Sequence, residues 1–138
     1  MIKLKDLLFE QDTNDIAGIL LFVKNKVLVL YKTSGDVDIP KGHISEGESP
    51  LEAVKRELNE EAGIVLNVEP IQVGRLNVEP GKDLYMFTLQ TNQRFVVKTS
   101  NEHRGHKFVP IEEIDDNFFW SPVQQFYNNI MEKQNENS

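Results

Sequence analysis

The 138-residue chain contains no cysteine. That excludes disulfides, thiolate zinc sites, iron–sulfur clusters and a cysteine nucleophile. Long hydrophobic runs are missing too. The longest, Ile16–Val23, has 8 residues and includes Gly18, against the roughly 20 that a membrane-spanning helix needs. Positive charge is also scarce, with 15 Lys and Arg against 22 Asp and Glu, a formal charge of −7. This excludes the broad basic footprint of a duplex-DNA binder. A phosphorylated substrate stays open, because a metal ion can supply the missing positive charge locally. Met1 to Gln11 carry acids among the leucines and lack a small-residue cleavage site, so they do not read as a signal peptide. The expectation is a soluble cytoplasmic protein with no membrane partner.

What is present suffices for one core. Hydrophobic residues make up 39% of the 15.9 kDa chain, the size of one ordinary domain. Residues 15–132 are expected to form it. Residues 1–14 read as an N-terminal arm with Leu4, Leu7 and Leu8 at helical spacing. Residues 133–138 read as a polar tail, with fraying expected from Glu132 onward. Strands are expected over Ile16–Val23, Lys26–Lys32, Ile64–Val68, Ile71–Val78, Leu84–Gln90, Phe95–Lys98 and Lys107–Val109. Thr33–Glu48 reads as a loop, Pro110–Ile114 as a helical turn, and a helix is expected from Ser121.

The clearest helix starts at Ser49. Ser49 suits the N-cap, Pro50 the first turn, and Glu52 completes a Ser-x-x-Glu capping box. Leu51, Val54, Leu58 and Ala62 form one apolar stripe, and Gly63 is placed to end the helix. Beside that stripe lie Glu57, Glu60 and Glu61. Like charges one turn apart repel by a few tenths of a kcal/mol per pair. They also face the negative end of the helix dipole. A divalent cation would remove both penalties.

Gly42, Glu48, Arg56, Glu57, Leu58, Glu60, Glu61, Gly63 and Ile64 follow the spacing G-x5-E-x7-R-E-U-x-E-E-x-G-U, with U aliphatic. The segment resembles the Nudix box of the Nudix hydrolase family at every defining position. Seven strict matches would arise by chance about once in 10⁸ to 10⁹ start points. The Ala17-Gly18 strand and the stretch from Glu102 to Ile114 also resemble the family's flanking segments, with Phe108 where many members carry Trp.

The resemblance implies an α+β fold, a Nudix-type α/β/α sandwich with a mixed β-sheet. It implies magnesium-dependent hydrolysis of a nucleoside diphosphate linked to another group, with manganese as substitute. A dinucleoside or nucleoside polyphosphate is the first expectation. Action on an RNA 5′ end, on ADP-ribose, or a non-catalytic nucleotide-binding role stay as alternatives. Glu57 and Glu61 would be the core metal ligands, with Glu60, the Gly42 carbonyl and Glu102 as further ones. Arg56, paired with Glu48, would orient the metal-binding carboxylates. The general base stays open among Glu57, Glu60 and Glu102. Lys41 and His43 are candidate phosphate contacts. His103 and His106 read more simply as polar surface groups. Tyr31, Tyr85, Phe87 and Phe108 read as core rather than as stacking platforms for a base. The loop Thr99–Gly105 is expected to be mobile and to bring Glu102 to the site.

Overall fold

Along β1 (Ile16–Val23) the side chains alternate between two apolar faces. Ile16, Leu20 and Phe22 belong to one cluster, and Ala17, Ile19 and Leu21 to the other. The same alternation runs through β2 (Lys26–Lys32), with Val27 and Val29 on one side and Leu28 and Leu30 on the other. Strands apolar on both faces demand a cover on each. The computed structural model, which describes residues 14–136, supplies those two covers. Helix α1 (Pro50–Ala62) closes one face with Ala53, Val54, Leu58 and Ala62. Helix α2 (Ser121–Glu136) closes the other with Val123, Phe126 and Tyr127.

The layer between them is a mixed sheet of seven strands. It adds β3 (Val37–Asp38), β4 (Lys41–His43), β5 (Ile71–Glu79), β6 (Lys82–Thr91) and β7 (His103–Pro110) to the first two. The main order is β3-β2-β1-β6-β5, with β4 on β1 and β7 on β2. Strands β1 and β6 run parallel, Ile16 opposite Leu84 through Val23 opposite Thr91. The other pairings are antiparallel. This is the expected α/β/α sandwich. Among the described residues no helix is long and apolar enough to cross a membrane.

Several expected elements differ. Ile64–Val68 is not a strand. Val65 and Val68 are exposed, so their β-branched side chains have no sheet to pack on. Phe95–Lys98 is not a strand either. Lys98 N–H donates to the Ala62 carbonyl at 2.9 Å and Ser100 N–H to the Glu61 carbonyl at 3.1 Å, so this backbone caps the end of α1. Strand β7 starts at His103 rather than Lys107, because β2 offers partners along its whole length, from Lys26 opposite Pro110 to Lys32 opposite His103. The loop expected over Thr99–Gly105 is correspondingly shorter. Within Thr33–Glu48 two short strands form, β3 and β4. Helix α2 continues through Glu136, past the point where fraying was expected. The helical arm expected at Leu4, Leu7 and Leu8 lies outside the described residues.

Candidate active site

Local chemistry fixes α1 in place. Ser49 Oγ accepts from Glu52 N–H at 3.1 Å, and the Glu52 carboxylate accepts from Ser49 N–H at 3.2 Å. At the other end Gly63 adopts φ 67°, a left-handed turn open to glycine, and its N–H donates to the Asn59 carbonyl at 2.8 Å. Strand β4 passes close beside the helix. A Cβ at Gly42 would overlap the Glu57 carboxylate and displace it from its present position.

Arg56 organises the acids. Its Nε donates to Glu48 Oε2 at 2.8 Å and its Nη2 to Glu48 Oε1 at 3.0 Å. Nη2 also donates to the His43 carbonyl at 2.9 Å. Nη1 reaches Glu57 Oε1 at 2.8 Å and Glu60 Oε2 at 3.1 Å. The Arg56 guanidinium holds the Glu48 carboxyl below the usual carboxylate range, and Glu48 in turn raises the pKa of Arg56. Burial pushes the Glu57 carboxyl up against the opposing pull of Arg56. Glu60 faces solvent.

Glu61 is the buried member, 3% exposed. Its Oε1 accepts from Lys41 N–H at 3.0 Å. Burial, aided by the charges of Glu57 and Asp38, raises its carboxyl to about 8. Asp38 joins from β3. Its Oδ1 accepts from Lys41 Nζ at 3.2 Å, and its Oδ2 lies 2.9 Å from His103 Nε2.

Arg56, Glu57, Glu60, Glu61, Asp38 and His103 line one open cleft of about 1410 Å³, with Glu48 behind its wall. Glu102 lies on its rim, exposed, with its charge felt at Glu57. Lys41 and His43 also line it. Neither His106 nor any of Tyr31, Tyr85, Phe87 and Phe108 lines the cleft. Those four aromatics pack into or against the two cores, and His106 Nδ1 pairs with Thr99 Oγ1 at 3.0 Å. His103 is buried, contrary to the surface reading. Asp38, Phe118 and Trp120 are among the cleft residues missed from the sequence. Trp120, the single tryptophan, is 47% exposed beside Phe118. Its lone occurrence just before a helix start was the available signal.

The donor set fits a divalent cation. Glu57 and Glu61 are carboxylates whose charge is disfavoured by burial, the Gly42 backbone opens directly onto Glu57, and His103 Nδ1 is buried without a partner near Glu61. Among the described residues no three acid or imidazole side chains already converge as a cage. Arg56 holds Glu57 and Glu60 to one side.

A family model described as NUDIX domain matches residues 12–130. No curated protein matches the chain. Solved structures do. A MutT protein from Methanosarcina mazei Go1 is 22% identical, with a TM-score of 0.71 over 87% of this chain and 94% of that one. A NUDIX hydrolase from Nitrosomonas europaea is 18% identical, with a TM-score of 0.71 over 91% and 74%. A C. elegans Ap4A hydrolase is 23% identical, with a TM-score of 0.66 over 86% and 98%. At such identities these likenesses show the shared fold.

Proposed function

The chain belongs to the Nudix hydrolase family, hydrolases acting on pyrophosphate bonds, and on that footing we propose a magnesium-dependent pyrophosphohydrolase of a nucleoside di- or polyphosphate. Residues 15–132 act as its catalytic domain, in the cytoplasm. The observation that carries this reading is Arg56. On the wall of an open cleft, one guanidinium ties Glu57, Glu60 and the strand bearing Gly42 to Glu48.

Glu57 and Glu61, with Glu60, Glu102 and the Gly42 carbonyl, would hold magnesium or manganese. The bound ion supplies positive charge against the polyphosphate oxygens and lowers the pKa of the attacking water. The chain's own residues do the rest. Arg56 keeps the carboxylates in place through its fork on Glu48. Glu57, Glu60 or Glu102 takes the proton from water as it attacks phosphorus. Lys41 and His43 flank the cleft where phosphates would lie, although Lys41 Nζ is shared with Asp38.

Dinucleoside polyphosphates are the favoured substrates within this reading. The Pro40-Lys41-Gly42-His43 approach resembles that of many such hydrolases, and the similar C. elegans protein is an Ap4A hydrolase. Phe118 and Trp120 offer an aromatic wall for a base. The test is phosphate release with and without magnesium from dinucleoside polyphosphates, nucleoside triphosphates, ADP-ribose and 5′-triphosphorylated RNA. Magnesium-dependent multiple turnover on the first class supports the reading. No turnover on any of them makes the domain a nucleotide-binding module.

A further inference from the structure

Glu61 has one oxygen fixed by backbone, since Oε1 accepts from Lys41 N–H at 3.0 Å. Its other oxygen, Oε2, lies 4.0 Å from His103 Nδ1. That nitrogen is buried and has no hydrogen-bond partner among the described residues, and the His103 side chain is 5% exposed. On its far side the ring is tied down, with Nε2 2.9 Å from Asp38 Oδ2. An ionised carboxylate only accepts, so Nε2 donates to Asp38, and that contact leaves Nδ1 facing Glu61. Nδ1 and Oε2 stand 4.0 Å apart, near enough for their charges to act on one another and beyond a direct hydrogen bond. Asp38 Oδ1 meanwhile binds Lys41 Nζ at 3.2 Å. The contacts run round a ring open at that 4.0 Å gap: Glu61, the Lys41 backbone, the Lys41 ammonium, Asp38 and His103, which faces Glu61 again.

From this ring we infer that His103, held by Asp38, is a positioning residue that fixes the second oxygen of Glu61 and so sets the site's affinity for its divalent cation. The inference rests on the reading of Glu61 as a metal ligand. A carboxylate held at both oxygens meets the ion with less rearrangement, and partners of this kind change metal affinity about 10–100-fold when removed. An imidazole serving only the core would leave that affinity alone.

The experiment is Mn²⁺ binding by the full chain, followed by the electron paramagnetic resonance of the free ion, with melting in chelator as the folding control. His103→Gln keeps a polar group within reach of Asp38 and removes the one at Nδ1. It should weaken Mn²⁺ binding about 10–100-fold with melting little changed. His103→Asn, whose amide replaces Nδ1, should recover part of the loss. Asp38→Asn should weaken binding in the same way, and it decides the matter if His103→Gln fails to fold. Glu61→Gln separates the two readings. If it weakens binding while the folded His103 and Asp38 variants bind as wild type, the positioning role is overturned and the ligand stands. If Glu61→Gln itself binds as wild type, the ligand reading falls, and this one with it. A directly bonded ¹⁴N coupling from His103 in the bound Mn²⁺ spectrum would also overturn it, by making the imidazole a ligand.

Discussion

Arg56 and Glu48 meet through two parallel hydrogen bonds, Nε to Oε2 at 2.8 Å and Nη2 to Oε1 at 3.0 Å. The remaining donors are committed as well, to the His43 carbonyl, Glu57 and Glu60. One planar cation thus locks the box's first glutamate, its helix and the neighbouring strand. A lysine carries the charge but not the fork. Arg56→Lys is expected to lower kcat about 10–100-fold with a small change in melting temperature. Wild-type kcat in that variant would show that charge alone suffices.

Removing repulsion among the acids should show up as stability. Magnesium or manganese at about 100 times its Kd is expected to stabilise the fold by about 2.7 kcal/mol. Melting with added cation and with chelator measures this. Indifference to both would argue against a site formed before substrate arrives.

The pH dependence follows from Glu61. Below the ordinary carboxyl value of 4.5 the group is protonated in both folded and unfolded chains. Between there and about 8 the unfolded chain releases the proton while the buried carboxyl keeps it. The metal-free protein therefore loses stability as pH rises through this window, on the order of a few kcal/mol. Magnesium is expected to bind the ionised form, so the stabilisation it gives should grow over the same window. Melting from about pH 5 to about pH 8, with and without magnesium, checks both trends. Glu61→Gln should flatten them.

Ligand and core residues on α1 should separate cleanly. Glu57→Gln and Glu61→Gln keep side-chain shape while deleting charge, so each should cut kcat severely and leave melting in chelator close to wild type or above. Leu58, 1% exposed in the α1 core, should behave the other way. Leu58→Ala is expected to cost about 2–5 kcal/mol. Near-native kcat for Glu57→Gln in saturating magnesium would remove it from the ligand set.

Glu102 lies on the rim of the cleft, and among the described residues no side-chain ion pair holds it in place. Glu102→Gln should lower kcat while leaving magnesium-dependent stabilisation of the free enzyme largely intact. Unchanged kcat and pH profile would make it a surface acid and leave the base to Glu57 or Glu60.

The parts of this site that were legible in the sequence are those close together in it. The Ser49 cap, the Leu51 to Ala62 stripe, the Gly63 stop and the three glutamates all fall within one helix, where spacing alone sets geometry. Two-sided apolar alternation in Ile16–Val23 likewise announced a sheet covered on both faces. Asp38 and His103 could not be paired that way. They stand 65 positions apart and meet because β3 and β7 both align on β2. Val65 and Val68 misled for the opposite reason. Their residue type favours strands, but the topology gives them no neighbouring strand. The backbone at Lys98 and Ser100 satisfies the carbonyls of α1, a demand visible only once the helix end is placed.

That last contact acts as a ruler. Ser100 is pinned to Glu61 at 3.1 Å, and His103 enters the β7 ladder opposite Lys32. Only Asn101 and Glu102 span the gap between the two anchors. Glu102 therefore works on a short leash whose length is counted in residues. One residue inserted there would leave both anchors seated and let the carboxylate swing wide. One residue deleted would pull on the helix end or unseat His103. Loop length at this point is as much a part of the site as the identity of the acid it carries.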